Sequence, residues 1–321
     1  KATSIPICIQ PNAGSPRRYE GRLIYMSTPE YFGLFAKRCL KLGINLIGGC
    51  CGTTPEHIKS IALSVRMRGG NPSIQIAQSR SKKVTLPLSQ TLKSEALSVV
   101  SLEQRSMLGK ALQKEFVVSV EVNPPSGLNP QKSIDAVKML HSNGIRFINV
   151  ADGPRATARM ANGTFAMKIR DETGIEPLIH VCCRDRNILG LQSDLIAYHV
   201  YGMNNLVIIT GDPPKIGDYP WATAVYDVDS IGLLQIVDSL NHGIDPAGKP
   251  LHSQTSFVMG TGAEPSSLNY EREMERLKMK VKAGANFIMT QPVYDINTIH
   301  RFLRDTKDLN IPIIVGFLPL I

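Results

Sequence analysis

No uninterrupted apolar run in this chain approaches the roughly 20 residues that span a bilayer, so no transmembrane helix is expected. The start, Lys1-Ala2-Thr3-Ser4, has neither an initiator Met nor the apolar core and cleavage pattern of a signal peptide. Cysteine is sparse: six in 321 residues, four of them in the vicinal pairs Cys50-Cys51 and Cys182-Cys183, which is not a disulfide framework. A reduced, cytoplasmic protein is expected. There is no basic helix, no zinc-finger spacing and no aromatic-basic RNA-binding signature, although the net charge is +9. Lys and Arg are scattered, with small clusters at Arg17-Arg18 and Lys82-Lys83. The charge speaks for a solvated basic surface, or for an anionic cofactor or substrate, ahead of nucleic acid.

What is present is regular. Apolar residues make up 43% and charged residues 20%, ordinary globular usage that excludes disorder as the main state. Short apolar runs alternate with amphipathic helical windows, the pattern of an α/β protein with a parallel sheet and helices outside it. Strands are expected at Ile5–Gln10, Asn45–Gly49, Val117–Val122, Phe147–Ala151, Leu178–Cys182, Leu206–Thr210, Ser256–Gly260, Phe287–Thr290 and Ile313–Phe317. Helices are expected between them, among them Glu30–Leu42, Pro55–Arg68, Gln131–Ser142, Ile188–Tyr201, Tyr270–Ala283 and Thr298–Leu309. Nine strands are one too many for a single (β/α)₈ barrel. Residues 70–105, opening on Gly70-Asn71-Pro72 and rich in Ser, Gln and Lys, break the alternation as a linker with some helix near its end. Residues 1–69 then hold two βα units, and residues 106–321 hold seven strands and six helices. Neither set closes a barrel, so the chain looks cut from something longer at both ends.

In a (β/α)₈ barrel the chemistry sits at the C-terminal ends of the strands. After the linker those ends carry Glu121, Asp152, His180, Asp212, Glu264 and Gln291, one per strand for six consecutive strands. Any one alone is an ordinary loop residue; six in phase around one rim make a catalytic mouth. Glu121 stands near the end of the apolar run Val117-Val118-Ser119-Val120-Glu121-Val122, where partial burial raises a carboxylic acid's pKa toward general-acid use. Thr210-Gly211-Asp212-Pro213-Pro214 places a Gly where backbone can approach a flat ligand, followed by an acceptor and a rigid turn. His180 leads into the charged loop Arg184-Asp185-Arg186-Asn187 and is either a satisfied core histidine or a ligand contact.

Five segments in order resemble one family. They are Val117–Pro125, His180–Asn187, Ile209–Pro214, Lys280–Gln291 and Gly316–Pro319. Together they are similar to methylenetetrahydrofolate reductase, a flavin-dependent barrel enzyme. The resemblance implies Glu121 as the general acid that opens the five-membered ring of methylenetetrahydrofolate. It implies Asp212 as a carboxylate contacting folate near the flavin, and Gln291 as shared between folate and the NAD(P)H donor. It places Asp152, Gly153, His180, Thr210, Gly211 and Lys280, with Asp212, around FAD. The match has departures. Thr210 stands where many members have Arg, Ala151-Asp152 replaces a Thr-Tyr pair, and Pro292-Val293-Tyr294 replaces a run of Phe.

The first segment carries a second signal. Gly48-Gly49-Cys50-Cys51-Gly52 puts two thiols at a strand end among glycines, which allow the backbone to bend until both thiolates reach one zinc ion. With Gln10-Pro11-Asn12-Ala13-Gly14 upstream, this resembles the last two βα units of a homocysteine S-methyltransferase barrel. That family takes a third Cys from an earlier strand, and it uses Zn²⁺ to activate the homocysteine thiol. Cys182-Cys183 is expected to be packing. The combined order, methyltransferase end, linker, reductase barrel, is that of bacterial bifunctional enzymes of one-carbon metabolism. A homo-oligomer without nucleic-acid or membrane partners is expected. Two other readings remain: a zinc methyltransferase joined to a folate-binding barrel without reductase activity, and a non-enzymatic basic scaffold.

Overall fold

The structure is a computed structural model that describes residues 7–14, 17–19, 22–66 and 96–319. The start of the first expected strand, Ile5-Pro6, and most of the expected linker lie outside the described residues. The chain divides into two compact units, residues 1–86 and 87–321. Among the described residues, no helix is long and apolar enough to cross a membrane.

In the first unit, β1 (Cys8–Ile9) pairs in parallel with β4 (Leu46–Ile47). Between them lie the antiparallel pair β2 (Arg17–Tyr19) and β3 (Arg22–Ile24), and helix α1 (Pro29–Lys41). Helix α2 (Pro55–Arg66) follows β4. Thr28 caps α1 by accepting the Tyr31 N–H, and Pro29 opens its first turn, where a missing N–H costs nothing. Phe32 and Ala36 on α1 pack with Ile61 on α2 and with Ala13, and Gly33 lets the two helices approach over Ser60 and Ser64. The β2–β3 pair was not expected, because its charged residues break the apolar pattern by which strands are recognised.

The second unit opens with two helices, α3 (Leu102–Arg105) and α4 (Met107–Lys114). Seven parallel strands follow: β5 (Ser119–Val122), β6 (Phe147–Val150), β7 (Glu176–Cys182), β8 (Asn205–Ile209), β9 (Val258–Ala263), β10 (Phe287–Pro292) and β11 (Ile313–Gly316). The helices between them are α5 (Gln131–Ser142), α6 (Asn162–Thr173), α7 (Ile188–Val200), α8 (Ser230–Asn241), α9 (Tyr270–Lys282) and α10 (Ile296–Asp305). Strands are hydrogen-bonded in sequence order, β5 at one edge and β11 at the other. The sheet curls on itself: Asn149 on β6 reaches Met289 on β10, although β7, β8 and β9 lie between them in the sheet.

Side chains alternate between two apolar layers, as a pleated strand requires. The outer layer, between sheet and helices, holds Ile148, Val150, Ile179, Val181, Leu206 and Ile208 among others. The inner layer takes one residue from each of five strands, Phe147, Leu178, Val207, Val258 and Phe287, and these pack on Leu108, Ala111 and Leu112 of α4. Helix α4 thus closes the N-terminal end of the lumen. It is fixed there by Glu176, whose carboxylate accepts the Met107 and Leu108 N–H groups at 3.0 Å each, and by Ser106, which caps at Gly109. Arg105 bonds the carbonyls of Val100 and Phe257, so the end of the expected linker packs against the sheet.

Candidate functional site

The inner-layer phase decides which rim residues face the lumen. On β7, Leu178 lies inside, so His180 and Cys182 follow on the same face; on β10, Phe287 sets the same phase for Met289 and Gln291. On β5, Ser119 bonds Asn149 inside the lumen, and Glu121 lies one pleat above it. Glu121 is open to solvent at the strand end, yet enough protein surrounds its carboxyl that desolvation raises it above the ordinary carboxylate value. Among the described residues, no donor reaches it.

Among the described residues, the buried His180 Nε2 has no hydrogen-bond partner, and burial pulls the imidazole down to about 4, so the ring is neutral at pH 7. Nearby strands supply a smooth wall. Gly260 makes room for the Phe287 ring, and a side chain at Gly262 would meet nothing closer than Ile209 at 3.7 Å. Gly211 takes φ +92°, and a Cβ there would lie 3.0 Å from Cys182, so only glycine fits. Lys280 is buried; its ammonium donates to the Gly262 carbonyl at 2.8 Å and lies 3.9 Å from Glu273. Desolvation lowers its pKa, with Glu273 opposing.

Asp152 is clamped. Its carboxylate accepts the Cys182 N–H at 2.9 Å and pairs with Arg186, which also holds Asp194 at 2.9 Å. The neighbouring Arg184, only 4% exposed at its side chain, pairs with Asp185 at 2.7 Å and lies against Gly153. Asp152, Cys182 and Asp185 come close enough for a cation, but both carboxylates already hold a guanidinium, and burial, then Asp152, push the Cys182 thiol up to about 12. A neutral thiol between two spent carboxylates is packing. A cavity of about 260 Å³ opens between the exits of β6, β7 and β8, lined by Asp152, Gly153, Arg159, Arg184 and Tyr219. A larger one, about 630 Å³, lies at the opposite end beside Leu112, Asn286 and Ile313, away from every rim residue.

The remaining expected residues fall as follows. Asp212 is exposed and accepts the Arg155 N–H at 3.1 Å. Gln291 is exposed at the end of β10. Glu264 stands just past β9, accepting the Ser266 N–H. Thr210 is turned to the helix side of the sheet, where its hydroxyl bonds Ser230 at the start of α8. The arginine clamp and Asn149 were not found from sequence. An Asn inside the apolar run Phe-Ile-Asn-Val was the one available signal.

In the first unit, the Cys50 and Cys51 Sγ atoms lie 3.9 Å apart, both exposed. Gly52, at φ +76° beneath the Tyr25 ring, and the Asn12 side chain, which accepts the Cys51 N–H, set the bend. Two thiolates on one tetrahedral zinc at about 2.3 Å would be separated by about 3.8 Å, so the pair fits that ion. His57 is not a third ligand: Nδ1 accepts the Thr54 N–H at 3.1 Å and Nε2 faces the Ser27 carbonyl at 2.9 Å.

Comparison with known proteins gives two family matches. The model for methylenetetrahydrofolate reductase matches residues 106–321, and that for homocysteine S-methyltransferase matches residues 1–65. A probable methylenetetrahydrofolate reductase (NADPH) of Caenorhabditis elegans is 24% identical over 216 residues, 65% of this chain and 31% of that protein. The 5,10-methylenetetrahydrofolate reductase of Escherichia coli is 27% identical over 231 residues, 70% of this chain and 72% of that protein. The chain thus spans about a third of the nematode relative and most of the bacterial one. Among solved structures, 2,3-dimethylmalate lyase matches at 12% identity with a TM-score of 0.44, covering 68% of this chain and 80% of that one.

Proposed function

Because the family model matches more than half of its length, this chain belongs to the methylenetetrahydrofolate reductase family, and we propose that it reduces 5,10-methylenetetrahydrofolate to 5-methyltetrahydrofolate with NAD(P)H on bound FAD. The observation that carries the reading is Glu121, a lumen-facing acid with a raised pKa and no partner among the described residues, on the same rim as Asp212 and Gln291. Such an acid keeps its proton closer to neutral pH and gives it to a ring nitrogen of the imidazolidine bridge. The C–N bond then breaks, its electron pair stays on that nitrogen, and the one-carbon unit becomes an iminium. Asp212 and Gln291 orient the folate, and Gln291 also meets the nicotinamide.

The chemistry of the residues at the rim supports a flavin site. His180 offers an unused buried ring nitrogen, the glycines of β9 and Gly211 give a flat approach, and Lys280 supplies a cation beside them. Gly153 and Asp152 line the cavity at the neighbouring strand exits. FAD, when bound, supplies hydride transfer. Relatives are named for both NADH and NADPH, which supports a reduced nicotinamide donor of either kind. In fold terms, the reading makes the curled sheet a (β/α)₈ barrel with its eighth strand falling between β11 and β5. The first unit belongs to a homocysteine S-methyltransferase barrel, in which Cys50 and Cys51 hold zinc that activates the homocysteine thiol. Residues 1–69, 70–105 and 106–321 are then methyltransferase end, linker and reductase. Six free cysteines suit the reducing cytoplasm.

The test is the flavin spectrum of the whole protein that carries this chain. NADH or NADPH is expected to bleach the flavin band, and methylenetetrahydrofolate to restore it without air. Bleaching with no restoration would overturn folate as acceptor. Absence of flavin would favour a folate-binding barrel without reductase activity.

A further inference from the structure

Resting on the reductase reading, we propose that Asn149 is a positioning residue for Glu121: once substrate covers the rim, its amide N–H takes the acid's carbonyl oxygen, a contact the substrate-free structure leaves open, so that the acidic O–H faces the substrate. Glu121 and Asn149 are register partners in the parallel pair β5–β6, and partners in register present their side chains to the same face. That face is the lumen, since Asn149 reaches Met289 across it and bonds Ser119, two residues from Glu121.

Asn149 is 6% exposed, and its hydrogen bonds are half spent. Its Oδ1 accepts the Ser119 hydroxyl at 3.0 Å. Its Nδ2 carries two protons, and its described acceptor is the Met289 thioether at 3.6 Å, a weak one. A buried amide proton without a good acceptor is unfavourable, and the register-partner carboxyl at the same level of the lumen is the acceptor the strand geometry offers. Desolvation alone accounts for the raised Glu121 pKa. Asp152 and Arg159 from the β6 side and His180 on β7 contribute nothing to it, and β10 and β11 bring no charge to the rim. No charged group thus competes with the Asn149 amide for the Glu121 carboxyl.

The contact has direction. Before proton transfer the Asn149 N–H meets a neutral carbonyl; afterwards it meets a carboxylate, and hydrogen bonds to a charged acceptor are about twice as strong. Asn149 thus stabilises the state after transfer more than the state before it, and makes Glu121 a better acid than burial alone would allow.

Asn149→Leu keeps the volume and removes the donor. In the holoenzyme, reoxidation of the reduced flavin by methylenetetrahydrofolate is expected to slow about 10- to 100-fold, while reduction by NAD(P)H changes far less. The alkaline limb of the folate half-reaction should move to higher pH, because the carboxylate has lost its donor. In the oxidised holoenzyme with methylenetetrahydrofolate bound, where no hydride can pass, the carbonyl stretch of the Glu121 acid, isolated by infrared difference against Glu121→Gln, should move to higher frequency in Asn149→Leu. Asn149→Ser, a shorter donor, should fall between wild type and Asn149→Leu, and it carries the test if the leucine variant does not fold. Equal slowing of both half-reactions, or an unmoved limb and an unmoved stretch, would overturn the proposal. If the wild type is never reoxidised by folate, the reductase reading fails, and the infrared shift still judges the Asn149–Glu121 contact.

Discussion

The Asp212 carboxylate accepts the backbone N–H of Arg155 at 3.1 Å, tying the exit loop of β8 to that of β6. Arg155 and Ala156 both sit in the left-handed region, at φ 56° and 54°, which costs roughly 1 kcal/mol or more for each non-glycine residue. Gly217 completes the lock, since a Cβ there would fall 2.0 Å from the Ala156 carbonyl oxygen. The β6 loop is held in a conformation it would not choose alone. Asp212→Ala is therefore expected to loosen it, and trypsin should cut after the exposed Arg155 several times faster than in wild type. An unchanged cleavage rate would mean that the loop holds itself.

Glu121→Gln retains size and hydrogen bonding but cannot deliver a proton. Under the reductase reading it should slow the folate half-reaction by about 10²–10⁴-fold, the usual reach of general acid catalysis. Flavin reduction by NAD(P)H is a separate hydride transfer and should suffer far less. Stopped-flow flavin absorbance follows the two halves separately. Equal loss in both would demote Glu121 to a structural carboxylate.

His180 is expected to make the ligand-free protein acid-sensitive. Its folded pKa is depressed to about 4 from 6.5 by burial, so its contribution to stability is complete above pH 6.5 and is lost as pH falls toward 4. A shift of that size corresponds to at most about 3.5 kcal/mol. Denaturant titrations of wild type and His180→Asn at several pH values should show a shallower acid loss in the variant. Parallel curves would mean that His180 is already protonated in the fold.

Cys50 and Cys51 have no third His, Cys, Asp or Glu in metal-binding reach among the described residues. Catalytic zinc usually keeps three protein ligands. The 321-residue chain by itself is therefore expected to retain less than one zinc per molecule after dialysis, measured by elemental analysis. Full occupancy would show that another group, such as Cys8, completes the site.

The strands and helices of the second unit were legible because their signals are local. The short apolar runs place β5, β6, β7, β8, β10 and β11 to within about two residues, and α5 falls at Gln131–Ser142 as expected. Strand β9 was expected at Ser256–Gly260 and lies at Val258–Ala263. Its Gly-Thr-Gly looks like a strand end in one dimension, but pairing with β8 and β10 on both sides carries the strand through it. Helix α4 was missed because its purpose is tertiary, with an apolar face that matters only once five strands converge on it. The rim positions of Glu121, His180 and Gln291 follow from phase, which a sequence carries. The partners of such residues do not. Arg186 meets Asp152, and Asn149 stands beside Glu121, through strand register and loop path, which no single window of residues encodes.

Helix α4 makes the lumen a vessel with a floor. With Leu108, Ala111 and Leu112 seated against one side chain from each of five strands, the N-terminal end offers a small molecule no through route. Whatever reaches the polar layer of Ser119 and Asn149 along the axis must arrive and depart by the rim that carries Glu121. Under the reductase reading, a hydride donor and a hydride acceptor that both need the same wall of that vessel share one doorway, and the order of their visits becomes a matter of queueing. Product must clear the doorway before the next visitor can enter.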